Sequence, residues 1–245
     1  MDIQQRCARG QELLQTQNYI GAEKELKLAE REATARHDWD SLSRLYMPLQ
    51  EARRQRRLRC GEGVVCLDLL ATGPDDSIQG QQVVENYPHG QLLVAGWASI
   101  EPALEVRRLQ PKHDLYVEVF LGAVYPLTDG KPVVALVPDG REALPDARPR
   151  SADALRALLP KGSLVIPADE LPEGASRGNL EKFGRMEAIW EQLHRPYLAA
   201  ADAVDDPLHR IEAYRHVIEI DYASELAHQN LAAAARELAR HAVTV

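Results

Sequence analysis

The sequence predicts an α/β fold, with a mixed α+β arrangement as its variant: a central mixed sheet with an antiparallel hairpin and covering helices, flanked by α-helical hairpins at both ends. Three observations carry this. Short β-branched or apolar runs bounded by Gly, Pro and Asp cluster between residues 61 and 179. Residues 1–60 and 180–245 instead place apolar side chains at steps of three and four. Between two of the strand runs stands Asp129-Gly130, and Asp-Gly in that setting marks a tight hairpin because the turn needs positive φ at its centre.

The first helix is predicted over residues 3–16, on Ile3, Cys7, Gly10 and Leu13, and the second over 19–36, on Ala22, Leu26, Ala29 and Ala33. Asp38 is placed to cap a third, with Trp39, Leu42, Leu45, Tyr46 and Leu49 turned inward and Pro48 kinking or ending it. In the middle, strands are expected at 64–70, 92–97, 115–125, 133–137 and 164–166, with the third and fourth antiparallel. Helices are expected at 77–86, after Ser99, and from Ser151 to Leu159, and loops at 139–150 and 171–179. The far end shows a stripe of Leu180, Phe183, Met186, Trp190, Leu193 and Tyr197, broken near Pro196. Asp205-Asp206-Pro207 then starts a further helix. Similar octets occur at both ends: Trp39-Asp40-x-Leu42-x-Arg44-x-Tyr46 and Trp190-Glu191-x-Leu193-x-Arg195-x-Tyr197. The expected division is therefore 1–60, 61–179 and 180–245.

At 245 residues the chain can bury a full core without staples, and 45% apolar with 27% charged residues is ordinary for a globular protein. Its net charge of −8 splits as +3 over residues 1–60, −7 over 61–179 and −4 over 180–245. An acidic middle argues against nucleic-acid binding, which needs a clustered basic surface. No apolar run is long enough to span a bilayer, the first residues lack the layout of a signal peptide, and three cysteines fit a reducing compartment, so the expected location is cytoplasmic.

A family resemblance rests on Gly10-x-x-Leu13 followed by Ala22, Leu26 and Ala29, and on Trp39-x-x-Leu42-Ser43-x-x-Tyr46, with 33 residues from Gly10 to Ser43. This resembles the tetratricopeptide repeat, whose period is about 34 residues. Departures are Arg6 and Ser43 in place of the family's tryptophan and glycine, and Tyr222 where a closing proline is common. The resemblance implies helical hairpins, a role in protein–protein interaction and a groove lined by the first helix of each hairpin. Gln11 and Arg44 are the positions it makes groove-facing. One and a half repeats at this end are fewer than a free-standing solenoid needs, so the arms pack on the central domain or on each other; in the second case the middle is an insertion.

Catalytic motifs are absent: there is no phosphate-binding glycine loop, nucleophile elbow or His-Glu-x-x-His, so no catalytic residue is assigned, and no cofactor or metal is implied. If the middle is doubly wound, ligands belong beyond the carboxyl ends of its strands. There stand Asp68, Asp75 and Asp76, which could meet a hard cation, and Trp97 with Ser99, whose helix start could face an anion. The plainer reading is a solvated cap for the acidic pair, a core aromatic and an ordinary helix cap. Arg53, Arg56 and Arg57 belong to a run that reads as a solvated helix end complementing the dipole, or as a docking patch for an acidic partner. The favoured function is a non-enzymatic intracellular interaction protein with a protein partner, homo-oligomerisation being compatible; the alternative is a small-ligand-binding or metal-dependent enzyme with its site on the central domain.

Overall fold

Polar caps start the helices where the sequence places turns. The Asp2 carboxylate accepts the Gln5 backbone N–H while the Gln5 side-chain oxygen accepts that of Asp2, and this reciprocal cap opens α1 (Ile3–Gln15). Asn18 caps α2 (Tyr19–Ala35) through the Gly21 N–H, and Asp38 accepts the Ser41 N–H at the start of α3 (Trp39–Gly61). The computed structural model describes residues 1–128, 130–146 and 148–243. Asp129, on which the hairpin expectation rests, lies outside them.

The chain divides into two units, residues 1–57 together with the chain from His194 onward, and Leu58–Leu193. In the first, both ends of the sequence share one apolar core: Ala22, Leu26, Leu42, Leu45, Tyr46 and Leu49 belong to the same cluster as Ile211, Tyr214, Leu231 and Ala235. These later residues come from α8 (Pro207–Ile220) and α9 (Glu225–Val243), and Ala201 of α7 (Leu180–Asp202) joins the same cluster. The central residues are thus an insertion between two halves of one helical unit. Neither Pro48 in α3 nor Pro196 in α7 ends its helix, which leaves the kink alternative for Pro48 and corrects the break expected near Pro196. A proline in a helix interior costs about 3 kcal/mol through its missing donor and ring clash. Burial of Leu45, Tyr46, Leu49 and Ala52 beside Pro48, and of Leu193 and Ala201 beside Pro196, supplies the offset.

In the second unit β1 (Val64–Leu70), β2 (His89–Trp97), β3 (Tyr116–Tyr125), β4 (Val133–Val137), β5 (Leu164–Pro167) and β6 (Ser176–Arg177) form one sheet in the order β5-β4-β3-β2-β1-β6. Strands β1, β2 and β3 run parallel, β4 is antiparallel to β3, and β5 to β4. The fold is therefore mixed α/β, as the sequence predicts. Two-residue β6 pairs antiparallel with Val64 and Val65, inside a segment expected to be loop. Two helices are shorter than expected: α4 is Gly80–Asn86 and α6 is Ala152–Arg156.

Period-two alternation assigns the faces. Leu92, Val94, Val119, Leu121, Val133 and Ala135 share a cluster with Val83 and Val84 of α4, Ala103 and Val106 of α5 (Glu101–Leu109) and Leu155 of α6. The alternate residues Leu93, Phe120 and Leu136 are also fully buried, and the Phe120 ring lies 4.3 Å from that of Trp190. Strands covered on both sides read as continuous apolar runs, which is why the sequence shows them so plainly.

Gly10 lets α1 and α2 cross closely: a Cβ there would stand 2.7 Å from Cγ of the fully buried Leu26. Gly184 of α7 has open space around it. Replacing Gly10 by valine should therefore destabilise by about 1–3 kcal/mol through overpacking. Gly184→Ala should instead gain about 0.5–1 kcal/mol from helix propensity. Denaturant unfolding of the two variants checks the opposite signs.

Candidate functional site

On α1, Gln4, Cys7, Ala8 and Gln11 recur at three- and four-residue steps, which is one face of a helix. On α3, Ser41, Arg44, Leu45 and Pro48 do the same. The eight side chains line a single open cavity of about 190 Å³. Gln4 Nε2 donates to Ser41 Oγ at 3.1 Å and so joins the two walls. Arg44 pairs with Asp40 one turn away, yet its side chain is 67% exposed, leaving the guanidinium free to exchange partners. Burial, then the nearby Asp38 charge, pushes the Cys7 thiol above its ordinary pKa despite Arg44, so sulfur here is protonated at neutral pH and a poor nucleophile. Amides, a hydroxyl and a guanidinium offer hydrogen bonds without a general base among the lining residues.

Gln11 and Arg44, carried over from the repeat resemblance, are thus brought into one groove. Gln4, Cys7 and Ser41 were not singled out from the sequence, although their spacing from Gln11 and Arg44 is the signal that finds them.

The arginine run takes a different place from the one the sequence suggests. Arg53 is 6% exposed, donates from Nε to Glu23 Oε1 at 3.0 Å and from Nη1 to His228 Nε2 at 2.9 Å. Arg56 also pairs with Glu23, and its guanidinium stacks 3.8 Å from the Tyr222 ring centre. Arg57 donates to Asp221 Oδ1 at 2.6 Å, while His194 Nδ1 lies 2.7 Å from Asp221 Oδ2. Neither a solvated helix end nor a docking patch describes Arg53, Arg56 and Arg57, since their charges are spent inside the unit. Only Arg54, paired with Glu51, and Arg59, paired with Glu62, stay half-exposed. The sequence signal was register: Leu42, Leu45, Leu49 and Ala52 lead in steps of three and four to Arg53 and Arg56, on the buried stripe. Burial raises the Glu23 carboxyl, but Arg56 and Arg53 outweigh it and bring its pKa down to about 2. Burial is likewise outweighed at Asp221, which Arg57 and His194 hold well below the usual carboxylate range.

Among the candidates on the sheet, Asp68, Asp76 and Ser99 each hold hydrogen-bond partners of their own. Asp68 Oδ1 accepts from the Cys66 thiol at 3.1 Å and Oδ2 from the Gly174 N–H at 2.6 Å, which ties the segment before β6 to β1. Burial, then the hydrogen bond to Asp68, pushes the Cys66 thiol up to about 11. Asp76 accepts from the backbone N–H and hydroxyl of Thr72, both at 2.9 Å, closing a local turn, and Asp75 is exposed. Trp97 is half-buried at the end of β2, and Ser99 Oγ accepts the Glu101 N–H, with the acidic Glu101 in the first turn of α5. Moreover α4 and α5 share one apolar cluster and the parallel strands advance steadily as β1, β2, β3. The ligand crevice of doubly wound sheets forms where that order reverses, and it does not reverse between these strands. Among the described residues no three His, Cys, Asp or Glu side chains are grouped to hold a metal ion. The sequence reading passed over Gln91 and Glu118, register partners on β2 and β3 that are buried and joined by a 2.7 Å hydrogen bond. Their signal was a polar residue inside each of two apolar runs.

No protein-family model matches this chain, and no similar protein was found among curated sequences or solved structures.

Breaking a buried ion pair on one side strands its partner, at about 3–5 kcal/mol. Glu23→Gln should destabilise the protein on that scale at pH 7. A depressed carboxylate pKa contributes stability that is present above its unfolded value and lost as pH falls through the folded one. The gap between wild type and Glu23→Gln should therefore close as pH falls from 4.5, the ordinary value, toward about 2. Chemical denaturation across that range measures it.

Proposed function

We propose that this chain is a non-enzymatic protein–protein interaction protein, and that the groove between α1 and α3 receives a segment of its partner. The observation carrying the reading is that Gln11 and Arg44, implied by the repeat resemblance to be groove-facing, line one cavity together with Gln4, Cys7 and Ser41. The chemistry fits: the amides of Gln4 and Gln11 can each donate and accept toward a peptide backbone, and Arg44 supplies a mobile cation at the rim. A cytoplasmic setting belongs to the same proposal, supported by cysteines at 7, 60 and 66 that are all free thiols. No helix among the described residues is long and apolar enough to cross a membrane.

The expected result is that affinity capture with the full chain retains a defined protein, and that Gln11→Ala with Arg44→Glu weakens its retention by about 10- to 100-fold, the loss of one or two hydrogen bonds to a charged or polar partner. Thermal unfolding should stay unchanged, because Arg44 is largely exposed. Cys7 alkylation should slow when the purified partner is added. Equal retention by the variant, or strong thermal stabilisation of the chain by a nucleotide, metal ion or metabolite instead, would reject the proposal in favour of a ligand site elsewhere.

A further inference from the structure

His228, on α9, is completely buried, and its two ring nitrogens face groups of opposite demand. Nδ1 lies 2.7 Å from the Ser224 carbonyl, which can only accept, so Nδ1 carries the hydrogen. Nε2 lies 2.9 Å from Arg53 Nη1 on α3, and a guanidinium can only donate, so Nε2 must present its lone pair. The contact between α3 and α9 thus requires a neutral imidazole of one tautomer. A second proton would turn Nε2 into a donor and set cation against cation in a site closed to water.

We propose that His228 is a proton-operated latch: its protonation removes the acceptor that Arg53 needs and releases α9 from α3. The surroundings offer the imidazolium little compensation. From α2, Glu23 is already shared by Arg53 and Arg56, with Lys27 close by. From the turn between α8 and α9, Asp221 is taken by Arg57 and by His194 of α7. Burial, then the Arg53 charge, brings the His228 pKa down to about 3, against an upward pull from the Ser224 carbonyl, Asp221 and Glu23. In the released state the ring returns toward its ordinary value of 6.5. The folded-state pKa is the depressed one, so the latch is fully closed above that ordinary value and weakens as pH falls. Between the two values the ratio of released to latched molecules rises about tenfold per pH unit. The neighbouring carboxylates take up protons only from their ordinary values of 4.5 and 3.8 downward, which leaves the upper part of this window, above 4.5, to histidine.

Amide hydrogen exchange on the full chain tests the latch. After correction for intrinsic rates, the opening equilibrium of the amides around His228 should grow about 90-fold from pH 7.5 to 4.5. In His228→Gln, whose amide can accept from Arg53 and donate to Ser224 but does not titrate, the same interval should be flat. An equal slope in both proteins assigns the pH dependence to another group, such as His194, and overturns the proposal. Nitrogen chemical shifts of the His228 ring in the folded wild type decide the matter should the variant not fold. A neutral Nδ1–H tautomer at pH 5.5 supports the latch, and an imidazolium there overturns it.

Discussion

Arg53 is the point at which the two ends of this chain are tied together. Its guanidinium reaches Glu23 on α2 and His228 on α9, residues 30 earlier and 175 later in the sequence. A buried ion pair is a poor source of net stability, because desolvation of both charges consumes most of their attraction. What it supplies here is intolerance of alternatives. If α9 slides by one turn, His228 no longer meets Arg53, and a buried guanidinium N–H loses its acceptor. The surrounding core of Ala, Leu and Ile can tolerate small slips; the polar contacts cannot.

That tie makes an insertion possible. Residues 1–57 and those from His194 onward complete one helical unit, while Leu58–Leu193 builds a sheet with its own apolar cluster. Helices α3 and α7 each contribute residues to both units, so the division falls inside continuous helices rather than at loops. The inserted sheet spends its polar groups on itself. Asp68, Asp76 and Ser99 hold turns and loops, and Gln91 meets Glu118 across adjacent strands. The groove on α1 and α3 also holds internal pairs, Gln4 with Ser41 and Arg44 with Asp40, but its side chains line an open cavity.

Much of this architecture was legible in residue order. The strands at Val64–Leu70 and Val133–Val137 stand where apolar runs place them, because a strand covered on both faces cannot carry many polar residues. Caps at Asp38, Ser151 and Asp206 were equally readable, since a side-chain oxygen satisfies a backbone N–H only three residues away. Strand β6 was not, for two residues carry no period. Pro196 misled because a local cost was weighed without the packing that offsets it. For the groove, Gln11 and Arg44 came from a resemblance in spacing; Gln4 and Ser41 share their helix faces at three- and four-residue steps, but that the two faces meet is a tertiary fact.

The sequence by itself determined where the longer helices and the first five strands form, that the middle differs from the ends, and that one sheet pair is antiparallel; all of these follow from periodicity and from turns closed within a few residues. Tertiary structure alone decided that the two ends share a core, that Arg53, Arg56 and Arg57 turn inward to Glu23, His228 and Asp221, and that Gln11 and Arg44 line one groove. Register sets Arg53 and Arg56 on the buried stripe, yet the sequence does not say whether such an arginine keeps water or meets a carboxylate elsewhere in the chain. Only the fold chooses between them, by removing the water.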